Sequence, residues 1–257
     1  MPRFAANLGW LFPEHEFLDR FEAAAHAGFR GVEFAQPYPW PAAEIRARLD
    51  AHGLACVLVN LPMGDRARGD FGIACRPGRE AEFREGVARG IAYAHALGVP
   101  KLNCICGTAA PGEDRALLRK TLVSNLRYAA REFKAAGLVL VVEPINTHDV
   151  PGFLVSRSPE AAGLIEEVGE PNFFLQCDLY HTVMMGDDPA VILERLWNVI
   201  AHIQFADAPG RHEPGTGRID FAPLFSQIDA HGYPGWVSAE YKPSRRTEDT
   251  LSTFLPA

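Results

Sequence analysis

The sequence predicts a (β/α)8 barrel, or TIM barrel, and three observations carry that prediction. Eight short apolar runs alternate with helical stretches along the whole chain. Six of those stretches stop at a glycine, the common C′ residue before a chain turns into a strand. The length, 257 residues, is that of an eightfold barrel, which typically uses about 250 as one domain. Residues 1–257 are therefore read as a single domain.

The elements follow in order. A first strand is expected at Phe4–Leu8. A helix over Glu14–Ala27 follows, with Phe17, Leu18, Phe21, Ala24 and Ala25 at helical spacing before Gly28. Strand two is Gly31–Ala35, with a helix over Ala42–His52 ending at Gly53. Strand three is Ala55–Asn60, with a helix over Arg79–Leu97 ending at Gly98. Lys101–Cys106 is the fourth strand, before a helix over Glu113–Ala136 that ends at Gly137. Val139–Pro144 is the fifth, before a helix over Pro159–Val168 that ends at Gly169. Phe173–Asp178 and Ala201–Asp207 are the sixth and seventh strands. A helix over Pro223–His231, ending at Gly232, leads to the eighth strand, Trp236–Tyr241. A last helix, about Arg245–Phe254, closes the chain. The strands are rich in Val, Ile, Leu, Phe and Cys and bounded by Gly, Pro or Asp. A doubly wound sheet is the competing arrangement. No GxGxxG follows the first strand and no P-loop occurs, which disfavours it.

Composition narrows the function. Hydrophobic residues make up 47% and charged residues 22% of the chain, the balance of a water-soluble domain with a full core. The formal charge of −7 disfavours a nucleic-acid or anionic-membrane partner, which needs a basic face. No run reaches the roughly 20 apolar residues of a membrane span, and Met1–Trp10 lacks the apolar core of a signal peptide. Five cysteines without a CxxC read as buried free thiols, so a cytoplasmic location is expected. A homo-oligomer is compatible with all of this.

The chemistry lies at the strand ends. Strand five ends Val-Val-Glu143-Pro144, strand six Gln-Cys-Asp178 and strand eight Ser-Ala-Glu240-Tyr241, while strand seven carries Gln204. One carboxylate at a strand end is commonly a helix N-cap or a solvated charge, and one Gln a satisfied polar residue. Four such groups on consecutive strands would meet at one barrel mouth, where carboxylates need a cation or a shared proton. Three carboxylates and an amide oxygen make a hard donor set suited to Mg²⁺ or Mn²⁺. Two long loops, Leu61–Pro77 and Ala208–Arg218, follow strand C-termini, where barrels place active sites. His202 shares a strand face with Gln204, either lining the interior or buried as structure. Trp10, Phe12, Tyr38 and Trp40 either wall the pocket or pack the barrel top.

The chain resembles the hydroxypyruvate isomerase family, which includes 2-oxo-tetronate isomerase, within the xylose-isomerase-like barrels. The resemblance rests on Ala5–Leu8, Ala27–Phe34, Gly72–Glu80, Glu143–Asn146, Asp178–His181, Pro209–Gly217 and Glu240–Pro243, and covers essentially the whole sequence. It implies that Glu143 and Glu240 are an acid/base pair as well as ligands, with Asp178 and Gln204 completing the metal shell. Related ketose epimerases usually carry His where Gln204 stands, so Gln204 follows the sugar-acid isomerases. His181 and Arg211 match substrate-contacting positions of the wider group. Asp149 stands where the epimerases have a substrate-contacting Glu. Arg211 suits the substrate carboxylate because a guanidinium binds it bidentately, and Lys242 is a second cation for that task.

The expected activity is metal-dependent conversion of hydroxypyruvate to tartronate semialdehyde through an enediolate. Isomerisation of a four-carbon 2-oxo acid is the alternative, and 3-epimerisation of neutral ketoses ranks behind both. A DNA-repair endonuclease of the same fold would need more histidine ligands and a basic face. A non-catalytic sugar-acid-binding protein would not need both glutamates.

Overall fold

The computed structural model describes residues 1–255. Eight parallel strands close into a barrel in sequential order. They are β1 (Arg3–Asn7), β2 (Gly31–Phe34), β3 (Ala55–Asn60), β4 (Lys101–Asn103), β5 (Val139–Val142), β6 (Phe173–Asp178), β7 (Ile200–Phe205) and β8 (Trp236–Ala239). The helices outside are α1 (Arg20–His26), α2 (Ala42–His52), α3 (Glu80–Leu97), α4 (Arg115–Ala135), α5 (Ser158–Val168), α6 (Leu179–Met184), α7 (Pro189–Leu196) and α8 (Phe221–Ala230). The (β/α)8 prediction is thus met. Gly53 and Gly98 cap α2 and α3 in the left-handed region, at φ 62° and 67°, which glycine adopts without a Cβ clash.

The differences from the sequence reading have local causes. Strands β4, β5 and β8 stop short of Cys106, Pro144 and Tyr241. Pro144 has no N–H to give a ladder, so Glu143 sits one residue past β5; Glu240 likewise follows β8 by one residue, its N–H donating to the Phe205 carbonyl at 3.0 Å. The sequence reading overlooked α6 and α7. Helix α6 is six residues long, too short for its periodicity to show, although Gly186 follows two residues behind it at φ 79°. Helix α7 does carry a start signal, Asp188 accepting from the Ala190 N–H with Pro189 at its first position. The first expected helix divides into a 3-10 turn, Phe17–Asp19, and α1. The closing helix is 3-10 over Thr247–Thr253, where the Thr250 and Thr253 hydroxyls donate to carbonyls three residues back.

Most of the core lies between the barrel and its helices. A smaller apolar cluster, Ala5, Val57, Leu58 and Val141, fills the barrel itself. Below it Trp236 plugs the floor. A Cβ on Gly31 would come within 2.8 Å of that indole, which explains the glycine. Above it the two-residue period of the strands turns polar side chains inward: Asn7, Glu33, Asn103, Gln176, Asp178, His202, Gln204 and Ser238, all buried. This polar layer supports the mouth. All five cysteines are buried and free, as the sequence suggested.

Candidate active site

Three of the four strand-end groups converge through shared partners. Asp178 closes β6 and caps α6, its Oδ1 accepting from the Tyr180 N–H at 2.8 Å. Its Oδ2 is buried without a hydrogen bond. Glu143 accepts from Asn103 Nδ2 at 2.9 Å on Oε2, while Oε1 faces His181 Nε2 at 3.6 Å. The same Nε2 is 3.6 Å from Asp178 Oδ2. Glu240 accepts from Asn7 Nδ2 and from Arg211 Nη2, each at 2.9 Å. Arg211 Nη2 also lies 3.6 Å from Asp178 Oδ2, so one guanidinium joins the two acids.

Gln204 sits beside Asp178 in the β6–β7 register and beside Ser238 in β7–β8. Its Nε2 donates to Glu33 at 2.6 Å and its Oε1 accepts from Gln176 at 2.5 Å. It is therefore tied to the layer beneath, and an amide oxygen keeps a second lone pair. Glu33 is fully buried and binds three neighbours, accepting from Asn7 at 2.9 Å, from Gln204, and from His202 Nε2 at 2.6 Å. Burial alone would raise the Glu33 carboxyl, but His202, Ser238 and Gln204 bring it below its ordinary value. Burial holds His202 down, so the pair reads as a carboxylate accepting from a neutral ring.

Electrostatics set the mouth apart. Burial pushes the Asp178 carboxyl up to about 6 against the pull of Arg211. Burial likewise raises Glu240 to about 8 and Glu143 well above the carboxylate range, with neighbouring acids adding to both shifts. Burial first, and Arg211 second, keep His181 neutral. Crowded acids that resist ionising together, beside an orphaned Asp178 oxygen, are what a cation would relieve. The residues present thus fit a divalent ion. Among the described residues, Glu143, Asp178 and His181 offer ligand atoms all within 4.8 Å of one another.

The loop after β7 places Arg211. Asp207 accepts four backbone N–H groups, from Ala208 and Ile219 on Oδ1 and from Gly215 and Gly217 on Oδ2, at 2.8–3.0 Å. A Cβ on Gly217 would strike the Ala208 carbonyl at 2.2 Å. Arg211 itself adopts φ 55°, unusual for a side-chain-bearing residue and held here by the Lys242 N–H donating to its carbonyl at 2.7 Å. Its guanidinium lies between the rings of Trp10, 4.5 Å away, and Tyr180, 4.9 Å away.

Other expected residues fall as follows. Asp149 stands at the rim, accepting from Asn146 Nδ2 and the Tyr180 hydroxyl at 2.9 Å and facing Arg211 Nη1 at 4.0 Å. Lys242 is exposed and meets the loop through its backbone. His202 lines the interior one layer below the mouth. Trp10 walls the site, whereas Phe12 is core, Trp40 stacks on Phe17 and Tyr38 packs edge-on against Tyr93. Sequence reasoning assigned no role to Asn7, Glu33, Asn103, Asn146 or Gln176. Their signal is a polar residue on the inward phase of an apolar strand, or, for Asn146, three residues past a strand-end Glu.

Comparison with known proteins agrees with this picture. Residues 21–255 match the family described as xylose isomerase-like TIM barrel. The chain is 47% identical to a protein named hydroxypyruvate isomerase from Escherichia coli, covering 100% of this chain and 99% of that one. It is 44% identical to a protein named 2-oxo-tetronate isomerase from Cupriavidus necator, covering 100% and 98%. A crystal structure titled AP endonuclease, family 2, from Brucella melitensis superimposes with a TM-score of 0.97 at 43% identity, over 100% of this chain and 99% of that one.

Proposed function

The chain belongs to the xylose isomerase-like TIM barrel family, in the group of hydroxypyruvate and 2-oxo-tetronate isomerases, and from that premise we propose how its site works. The protein is an isomerase of a small sugar acid. The reading that fits best is hydroxypyruvate to tartronate semialdehyde. The observation that carries it is the buried convergence of Glu143, Asp178 and Glu240 around His181 and Arg211.

Glu143, Asp178, Gln204 and Glu240 would hold the metal, and this all-oxygen set favours Mg²⁺ or Mn²⁺. When bound, the ion would stabilise negative charge developing on the substrate oxygens. The protein does the rest. Arg211, fixed between Trp10 and Tyr180, exchanges part of its pairing with Glu240 for the substrate carboxylate. Lys242 and Asp149 stand outside that clamp, as a peripheral cation and as the acid that steadies the outer edge of Arg211. One of the two glutamates removes a proton from C3, leaving an enediolate. The same glutamate or its partner delivers a proton to C2, and the hydroxyl proton passes from O3 to O2, so the atoms balance. Burial raises both glutamates in the metal-free chain, Glu143 well above the carboxylate range and Glu240 to about 8; ionised beside a cation, each is a base that can take a carbon proton and return it.

The net charge of −7 and the single ligand cluster among the described residues support a small acid over DNA as substrate. No described helix is long and apolar enough to cross a membrane. Five buried free thiols support a reducing, cytoplasmic setting, and residues 1–257 act as one catalytic domain.

A four-carbon 2-oxo acid is the second reading, favoured by the Cupriavidus necator relative. Hydroxypyruvate, 2-oxo-tetronate and a neutral ketose should be assayed in parallel with Mg²⁺ or Mn²⁺. Turnover of an acid and not of the ketose is expected. Turnover of the ketose alone would overturn the reading.

A further inference from the structure

The two ring nitrogens of His181 face different partners. Nδ1 receives the Asn146 side-chain Nδ2 at 2.7 Å and the Asn146 backbone N–H at 3.4 Å. A backbone N–H can only donate. The side-chain amide is oriented independently. Its Oδ1 accepts the backbone N–H groups of His148 and Asp149 at 3.0 and 2.8 Å, and its Nδ2 also faces Asp149 Oδ2 at 2.9 Å. Turned over, the amide would set its oxygen against a carboxylate and its NH₂ against two N–H groups. Nδ1 is thus an acceptor twice over, and the proton of the neutral ring belongs on Nε2. That is the nitrogen facing Glu143 Oε1 and Asp178 Oδ2.

We propose that Asn146 is a positioning residue that holds His181 as the Nε2–H tautomer, so that this ring donates to a substrate oxygen and does not join the metal shell. The tautomer stands on geometry alone; only the acceptor's identity rests on the sugar-acid reading. The consequence is specific. Glu143, Asp178 and His181 form the tightest ligand-type group among the described residues, yet a protonated Nε2 has no lone pair to offer a cation. The shell must then draw its remaining donors from Glu240 and Gln204, all oxygen. The donor that remains, Nε2–H, points where an enediolate oxygen would gather charge. Asp149 completes the device by accepting from both Asn146 and the Tyr180 hydroxyl, which ties the loop after β5 to the start of α6.

The test is ¹⁵N NMR of the histidine rings in the Mg²⁺-loaded protein, with His181 assigned by its loss in His181→Gln. The expected spectrum has a pyridine-like Nδ1 and a pyrrole-like, proton-bearing Nε2, unchanged when Mg²⁺ is chelated. A pyrrole-like Nδ1, or an Nε2 that loses its proton on Mg²⁺ addition, overturns the proposal. In Asn146→Asp an acceptor replaces the donor, so Nδ1 should gain a proton. Turnover should then fall about 10–100-fold, the usual cost of losing an orienting partner, with KM little changed. Asn146→Ala removes the side-chain donor outright, and serves where the Asp variant folds poorly. A variant that folds yet keeps the wild-type tautomer and turnover also overturns the proposal. If neither acid is a substrate but the Nε2–H tautomer is found, the substrate reading fails and this one stands.

Discussion

Glu33 accepts a 2.6 Å hydrogen bond from Gln204 Nε2, and because an ionised carboxylate can only accept, the Gln204 carbonyl oxygen is turned to the opposite side. One buried acid on β2 thereby decides which end of an amide on β7 is available as a ligand. The Glu33 Oε1 that binds Gln204 also accepts from Asn7 Nδ2, which donates to Glu240 as well, so Glu33 orients two members of the proposed shell.

Glu33→Gln should therefore weaken Mn²⁺ binding about 10–100-fold, because the Gln204 amide is then free to turn over. Calorimetric titration of the metal-free protein checks this. The thermal midpoint in chelator should change far less than the affinity. Unchanged Mn²⁺ affinity would remove Glu33 from the account.

Arg211→Lys should raise KM for the acid substrate about 10–100-fold, since a charged, bidentate hydrogen-bond pair is reduced to a point contact. The lysine also loses the stacking between Trp10 and Tyr180. Steady-state kinetics with metal at saturation measures it, and a KM equal to wild type would place the carboxylate clamp elsewhere.

Stability should depend on pH in a direction set by the mouth. Asp178 and Glu240 titrate at about 6 and about 8 in the folded metal-free chain, above their ordinary values of 3.8 and 4.5. Folded protein then holds more protons than unfolded protein across that window. The stability these neutral acids contribute is complete below about pH 4 and is lost as pH rises through 6 and 8. In chelator, the thermal midpoint should fall from pH 5 to pH 8 through this contribution. Added Mg²⁺ or Mn²⁺ should raise the midpoint more at pH 8 than at pH 5. An equal rise at both pH values would contradict the assigned cluster.

Gly31→Val should destabilise the barrel without touching the mouth. The new side chain meets Trp236, whose ring lies 2.8 Å from the position of a Cβ, and overpacking of this kind costs about 1–3 kcal/mol. Chemical denaturation measures the loss, and the remaining folded protein should keep its KM.

The barrel and its acids were legible in the sequence because each is a break in a pattern. Glu143, Asp178 and Glu240 interrupt apolar runs where strands end, and Gly53 or Gly98 punctuates helix from strand. The layer beneath was legible only at His202, which shares a strand face with Gln204. Glu33 and Gln176 each look like one polar residue in a strand, and only the closed register shows which neighbours they meet. The His181–Asn146 contact was hidden because it joins a loop to a helix 35 residues away. Helix α6 escaped because six residues are too few for a helical period to stand out, even where a strand-end Asp178 could cap it.

The most direct measurement compares turnover of hydroxypyruvate and of 2-oxo-tetronate by the Mg²⁺- or Mn²⁺-loaded protein with that of Glu143→Gln and Glu240→Gln, following the carbon skeleton by NMR. The account predicts that the wild-type protein moves the carbonyl to the neighbouring carbon. It predicts that each variant loses at least about 100-fold in rate, as removal of a general acid or base does. Wild-type protein inert towards both acids, or a glutamine variant turning over at the wild-type rate, would contradict it.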